Sequence, residues 1–116
     1  MVQLEITRDA KGMLKLLYSL YRSGLDDGKK RSDANYFGSS EDIQKRYFSA
    51  MSVDDVTDIC FELVRADCLT YCPGDDLAND MQLTSLAIVY CEQSFERNTK
   101  ELLEWVSTIK GVIPFV

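Results

Sequence analysis

Residues 52–92 read SVDDVTDICFELVRADCLTYCPGDDLANDMQLTSLAIVYCE, and the order of local signals in this stretch decides the fold. Ser52 and Asp55 stand at capping-box spacing, which predicts a helix starting at Val53 because two otherwise orphaned amides gain acceptors there. Val56, Ile59, Cys60, Leu63 and Val64 then recur at helical spacing and give that helix one buried stripe. Residues 69–72 form a short β-prone run, Pro73-Gly74 breaks it, and residues 81–83 return antiparallel beyond an acidic loop. Thr84 is placed to cap a further helix, whose apolar residues Leu86, Ile88, Val89 and Tyr90 follow at once. The stretch is therefore a helix, a tight turn, a hairpin and a second helix.

Upstream, residues 1–6 form either a short strand or a frayed arm. Thr7 or Asp9 caps a first helix that buries Met13, Leu16, Leu17, Leu20 and Tyr21 and stops at Gly24 in the C′ role, with Lys11 and Lys15 on the surface. A polar connection follows, with the chain's one basic run, Lys29-Lys30-Arg31. Such a run is either a solvated loop or a contact for phosphates or an acidic partner. Asn35-Tyr36-Phe37 either supplies a small first strand or folds its rings over the core. Ser39 and Asp42 repeat the capping-box spacing and start a short helix over about 40–48 that buries Ile43, Tyr47 and Phe48 and turns Lys45 and Arg46 outward. Ser49-Ala50-Met51 makes the turn into the helix at Val53, completing a helix-turn-helix. Downstream, Asn98 and Glu101 cap another helix, ended by Gly111, with the stripe Leu102, Trp105, Val106 and Ile109 and a wholly apolar terminus that includes Phe115.

At 116 residues, with 46% hydrophobic and 28% charged, the composition is that of a single globular domain. No apolar run reaches the ~20 residues of a membrane span, and MVQLEITRDAKG has no secretory h-region, so a cytoplasmic location without membrane contact is expected. The net charge of −6 is uneven: residues 1–50 hold 9 Lys/Arg against 7 Asp/Glu, and residues 51–116 hold 4 against 12. Cys60, Cys68, Cys72 and Cys91 all lie within the quoted stretch. Cys68-x3-Cys72 lacks the paired spacing of zinc sites and the chain has no His, so reduced, metal-free thiols are expected, with Cys60 and Cys91 buried on helix faces. There is no phosphate loop, nucleophile elbow or zincin motif, and Asp75-Asp76 reads as a solvated turn. No catalytic residue, cofactor or enzyme activity is therefore assigned.

The element order, and Met81-Gln82-Leu83-Thr84-Ser85-Leu86-Ala87-Ile88 in particular, resembles the winged helix-turn-helix superfamily, including small bacterial and phage members. The resemblance implies a mainly α, α+β domain over 1–116: a winged core at about 8–95 with a two- or three-stranded antiparallel wing, and an extra C-terminal helix and apolar tail at 98–116. It also implies that the helix at about 53–66 corresponds to the one other members place in the DNA major groove.

Charge departs from that use. The outward helix positions are read as Asp54, Asp55, Thr57, Asp58, Glu62 and Arg65, and the wing adds Asp75, Asp76 and Asp80. Phosphate neutralisation supplies most non-specific DNA affinity, so this face repels a duplex. The favoured expectation is a non-enzymatic regulator or inhibitor of phage-like character that presents Asp54, Asp55, Asp58, Glu62, Asp75 and Asp76 to a basic protein surface. The alternative is a DNA-binding transcriptional regulator anchored through Lys29, Lys30, Arg31, Lys45 and Arg46. A homodimer is expected through Leu102, Trp105, Val106, Ile109 and Phe115, with folding back onto the first helix as the other way to cover that stripe.

Overall fold

A helix that is apolar around most of its circumference has to be packed from several directions, and the first helix is of that kind. The computed structural model describes residues 4–94, in which α1 (Arg8–Asp26) is followed by α2 (Arg31–Ala34), α3 (Ser40–Tyr47), α4 (Val53–Arg65), β1 (Leu69–Gly74), β2 (Leu77–Leu83) and α5 (Ser85–Ser94). The described chain is thus α+β, with five helices and a two-stranded antiparallel sheet. α1 packs against α2, α4 and α5. Between Gly12 and Tyr18 every residue is buried, Lys15 included at 3% exposure. Lys15 was expected on the surface; it lies inside because α1 is covered on more than one side, which a single-stripe reading of its sequence does not capture.

Thr7, not Asp9, caps α1, its hydroxyl accepting from the Ala10 N–H at 3.2 Å. The helix also runs past Gly24. Its end is a Schellman turn around Gly28 (φ +87°), in which the Gly28 N–H donates to Leu25 O and the Lys29 N–H donates to Gly24 O. Gly24 serves packing instead: a Cβ there would stand 3.0 Å from the Cβ of Ala34, so its absence lets α2 lie close against α1. That single turn of helix falls in the stretch expected to be an irregular polar connection.

Ser39 and Asp42 form a complete capping box at the start of α3. At α4 only half of the expected box is present, the Asp55 N–H donating to Ser52 Oγ at 3.1 Å. Between these helices Gln44 Nε2 donates to Met51 O at 2.9 Å, fixing the turn beside the fully buried Phe48. α4 inserts Val56, Ile59, Cys60 and Leu63 into the core as its periodicity demands. It ends in a second Schellman turn, with Asp67 rather than glycine in the left-handed position (φ +61°). The Asp67 carbonyl accepts from Thr84 Oγ1 at 2.7 Å, and the same Thr84 hydroxyl accepts from the Ala87 N–H to cap α5, so one threonine joins the two helix ends.

Pro73-Gly74 does not break the strand. Both residues pair with β2, as Pro73↔Ala78 and Gly74↔Leu77, and the two-residue turn is Asp75-Asp76, each with positive φ as hairpin twist requires. The register runs Leu69↔Leu83, Thr70↔Gln82 and then Cys72↔Asn79, which leaves one extra residue on β2 at a bulge containing Asp80 (φ +50°). Residues 35–38 are not a strand of this sheet, yet they run beside β2. The Phe37 N–H donates to Met81 O, the Met81 N–H donates to Gly38 O, and the Asn35 side chain takes both backbone groups of Leu83. Beneath the hairpin, Ser40 Oγ lies 2.7 Å from Thr57 Oγ1 and accepts from the Ala78 N–H, tying α3, α4 and β2 at one buried point. The expected C-terminal helix and its stripe Leu102, Trp105, Val106, Ile109 and Phe115 lie outside the described residues.

Candidate interaction face

α4 divides its residues between core and solvent with two departures from the expected outward set. Asp54, Asp55, Asp58 and Arg65 are exposed. Thr57 is not: it is 4% exposed and bonded to Ser40, because it belongs to the same helix side as Val56 and Cys60. Glu62 is half-buried and committed within the chain, its carboxylate accepting from the Thr7 N–H at 2.7 Å and from the Thr7 hydroxyl at 2.8 Å. That carboxylate fixes the start of α1 on α4 and is not a free group for a partner. Asp54 and Asp55 also sit in the first turn of α4, where negative charge complements the helix dipole.

An aromatic pair joins this helix face to the hairpin. Phe61 on α4 and Tyr71 on β1 meet edge to face, with ring centroids 5.3 Å apart and planes at 74°. Tyr71 remains 38% exposed. Phe61 lies one turn beyond Asp58 on the helix, so acids flank an accessible ring at the junction of α4 and β1. β1 is paired only with β2, and its residues from Thr70 to Gly74 are exposed, with Pro73 removing one donor from its edge. At the hairpin tip Asp75 and Asp76 are both exposed. Asp80 differs from them: it accepts from the Tyr36 hydroxyl at 2.7 Å, a bond that raises the tyrosine's pKa above its ordinary value. The ring pair was invisible to periodicity, since Phe61 falls between the buried stripe and the outward positions of α4.

The basic candidates gather elsewhere and are largely balanced. Lys45 pairs with Glu41 at 3.1 Å, one turn back along α3. Arg31 opens α2 beside the Tyr21 hydroxyl, whose hydrogen bond raises the guanidinium pKa further. Lys29 and Arg46 are brought together on the rim of a cleft of about 200 Å³ between α1, α2 and α3, but Asp27 and Asp33 share that rim. No residue lining the cleft comes from α4 or the hairpin. Lys30 is exposed in the loop before α2. Lys29 and Arg46, on that rim, therefore lie apart from the residues of α4.

Cys60, Cys68 and Cys91 are buried free thiols, while Cys72 is exposed on β1. Burial pushes the Cys60 thiol up to about 12 and the Cys68 thiol to about 11, and it raises Cys91 as well. Thiols so far from ionisation are poor nucleophiles. A disulfide reagent applied to the native protein should release one fast equivalent, from Cys72, and four after denaturation. Two or more fast equivalents would show that at least one of Cys60, Cys68 and Cys91 is not buried as described. Among the described residues no group of three or more His, Cys, Asp or Glu could hold a metal ion, and no helix is long and apolar enough to cross a membrane. Compared with protein-family models, with curated proteins and with solved structures, the chain has no match.

Proposed function

We propose that this chain is a non-enzymatic winged helix-turn-helix regulator that acts by protein contact, holding the acidic face of α4 and the hairpin tip against a basic surface of its partner. Apart from the single turn of α2 inserted after α1, the order helix, extended segment, helix, helix, hairpin, helix supports the winged-helix reading, with residues 35–38 running beside β2 as a short first strand would. One observation carries the functional reading: the solvent side of α4 exposes Asp54, Asp55 and Asp58 against Arg65 alone. In this fold class α4 is the helix that would enter a major groove, and carboxylates there meet phosphates without counterions to release. The Phe61–Tyr71 pair supplies what an acidic patch lacks, an apolar centre that a partner can desolvate.

The experiment is a pair of titrations at ~0.15 M salt, one with random duplex DNA and one with a fluorescent lysine- and arginine-rich peptide. The peptide should bind and the duplex should not bind in the sub-micromolar range. Sub-micromolar duplex binding abolished by removing Lys29, Lys30 and Arg46 would instead support the DNA-binding regulator.

A further inference from the structure

Among the described residues β2 is held along both edges and β1 along one. The backbone groups of Met81 are bonded to residues 37 and 38, those of Leu83 to the Asn35 side chain, and the Ala78 N–H to Ser40. These residues therefore face away from β1. Residues opposite each other in an antiparallel ladder point their backbone groups both inward or both outward. Leu69 and Pro73, which stand opposite Leu83 and Ala78, thus turn theirs to the outer edge of β1. Tyr71 follows by alternation, and the two ends agree across the bulge because the extra residue is on β2. No described residue outside the hairpin bonds the backbone N–H or C=O of Tyr71, or the C=O of Pro73. Pro73, with no N–H, blunts the edge towards the hairpin tip, whereas Tyr71 offers a complete donor and acceptor pair. Its ring leans on Phe61 and remains accessible. Exposed acids stand at both ends of the strand, Asp67 before it and Asp75-Asp76 after it.

We propose that the partner offers an extended basic segment that pairs along the outer edge of β1 as a third strand, with an apolar side chain over the Phe61–Tyr71 pair and cationic side chains reaching Asp67 at one end and Asp75-Asp76 at the other. The inference rests on the basic partner proposed above and adds how that partner is held. In strand addition the backbone bonds supply affinity, and the side chains along the strand supply specificity. Charge decides against a second copy of this chain as the occupant. An antiparallel pair of β1 strands about a two-fold axis keeps both Tyr71 bonds only when centred on Tyr71, because a register centred on Cys72 sets Tyr71 against Pro73, which has no donor. The register centred on Tyr71 sets Asp75 of each copy opposite Asp67 of the other, and like charges directly opposite are destabilising. A basic strand reverses the sign of both contacts.

The test uses the full chain at ~0.15 M salt with two peptides of equal charge. The first carries lysines towards both ends and one leucine at its centre. The second is the same peptide methylated on the backbone nitrogens of its central residues, which removes the donors and keeps every side chain. The first should bind, and methylation should weaken it at least about tenfold, the loss expected when a strand bond is left unmade. Hydrogen exchange supplies a second readout. Saturation with the first peptide should slow exchange of the Tyr71 amide at least about tenfold, because that group gains an acceptor, while the methylated peptide leaves it fast. Equal binding of the two peptides, or a Tyr71 amide that exchanges as fast in the complex as in the free chain, would overturn the third strand and leave the basic partner standing. Binding of neither peptide would overturn both.

Discussion

Replacing Asp54, Asp55 and Asp58 together by lysine should abolish binding of the basic peptide and create duplex affinity where there was none. Each change adds +2, so three take the formal net charge from −6 to 0, and all of the change falls on one side of α4. Every new phosphate contact adds roughly 0.9 to the salt slope, so about three should steepen the dependence of log K on log salt by roughly 2–3. At ~0.05 M salt that corresponds to a gain in duplex affinity of at least about tenfold. The variant loses acids that favour the first turn of α4, a cost of about 0.3–1 kcal/mol each at an exposed site, so a melting curve has to accompany the titration. The matched control is Asp26, Asp27 and Asp33, equally acidic and exposed but away from α4. Lysine at those three positions adds the same charge and should leave peptide binding nearly intact. Equal losses from both sets would show that overall charge, and not this face, attracts the peptide.

The largest effect on stability should come from Phe48→Ala. Phe48 is fully buried at the end of α3, and Gln44 holds the chain there through Met51 O. Truncating a buried phenylalanine costs about 3–5 kcal/mol, a large share of the roughly 5–15 kcal/mol that holds a domain of this size together. The denaturant midpoint should fall by that amount divided by an unchanged m-value. A loss below about 1 kcal/mol would mean that the α3–α4 turn does not depend on this ring. The link to function is geometric, since the same turn sets the angle at which α4 leaves the core and therefore where Asp54 and Asp58 point.

What was legible in the sequence follows from the range of the forces involved. Caps, stripes and the hairpin are local, and Thr7, Ser39, Ser52 and Thr84 each mark a helix start where one is found. Lys15 and Thr57 were misplaced because their burial is decided by helices distant in sequence, α5 and α3 respectively. Pro73 was taken for a strand end because proline is rare in strands, but β1 is an edge, and an edge tolerates a missing donor. Gly24 carried a helix-stop signal that Gly28, four residues on, uses instead; only the nearness of Ala34 explains the first glycine. At the candidate face the charges were legible, whereas the Thr7–Glu62 bonds span 55 residues and withdraw one acid that composition alone counts as free.

The most direct test of the acidic face is a residue-resolved NMR titration of the isotope-labelled chain with the basic peptide at ~0.15 M salt. Amide shifts should concentrate on Asp54, Asp55, Asp58 and Phe61 of α4, on Tyr71 and on the Asp75-Asp76 turn, with Lys29, Lys30, Lys45 and Arg46 unmoved. Shifts confined to those four cations on adding duplex DNA, with α4 silent towards the peptide, would contradict the account and make the corner between α1, α2 and α3 the working surface.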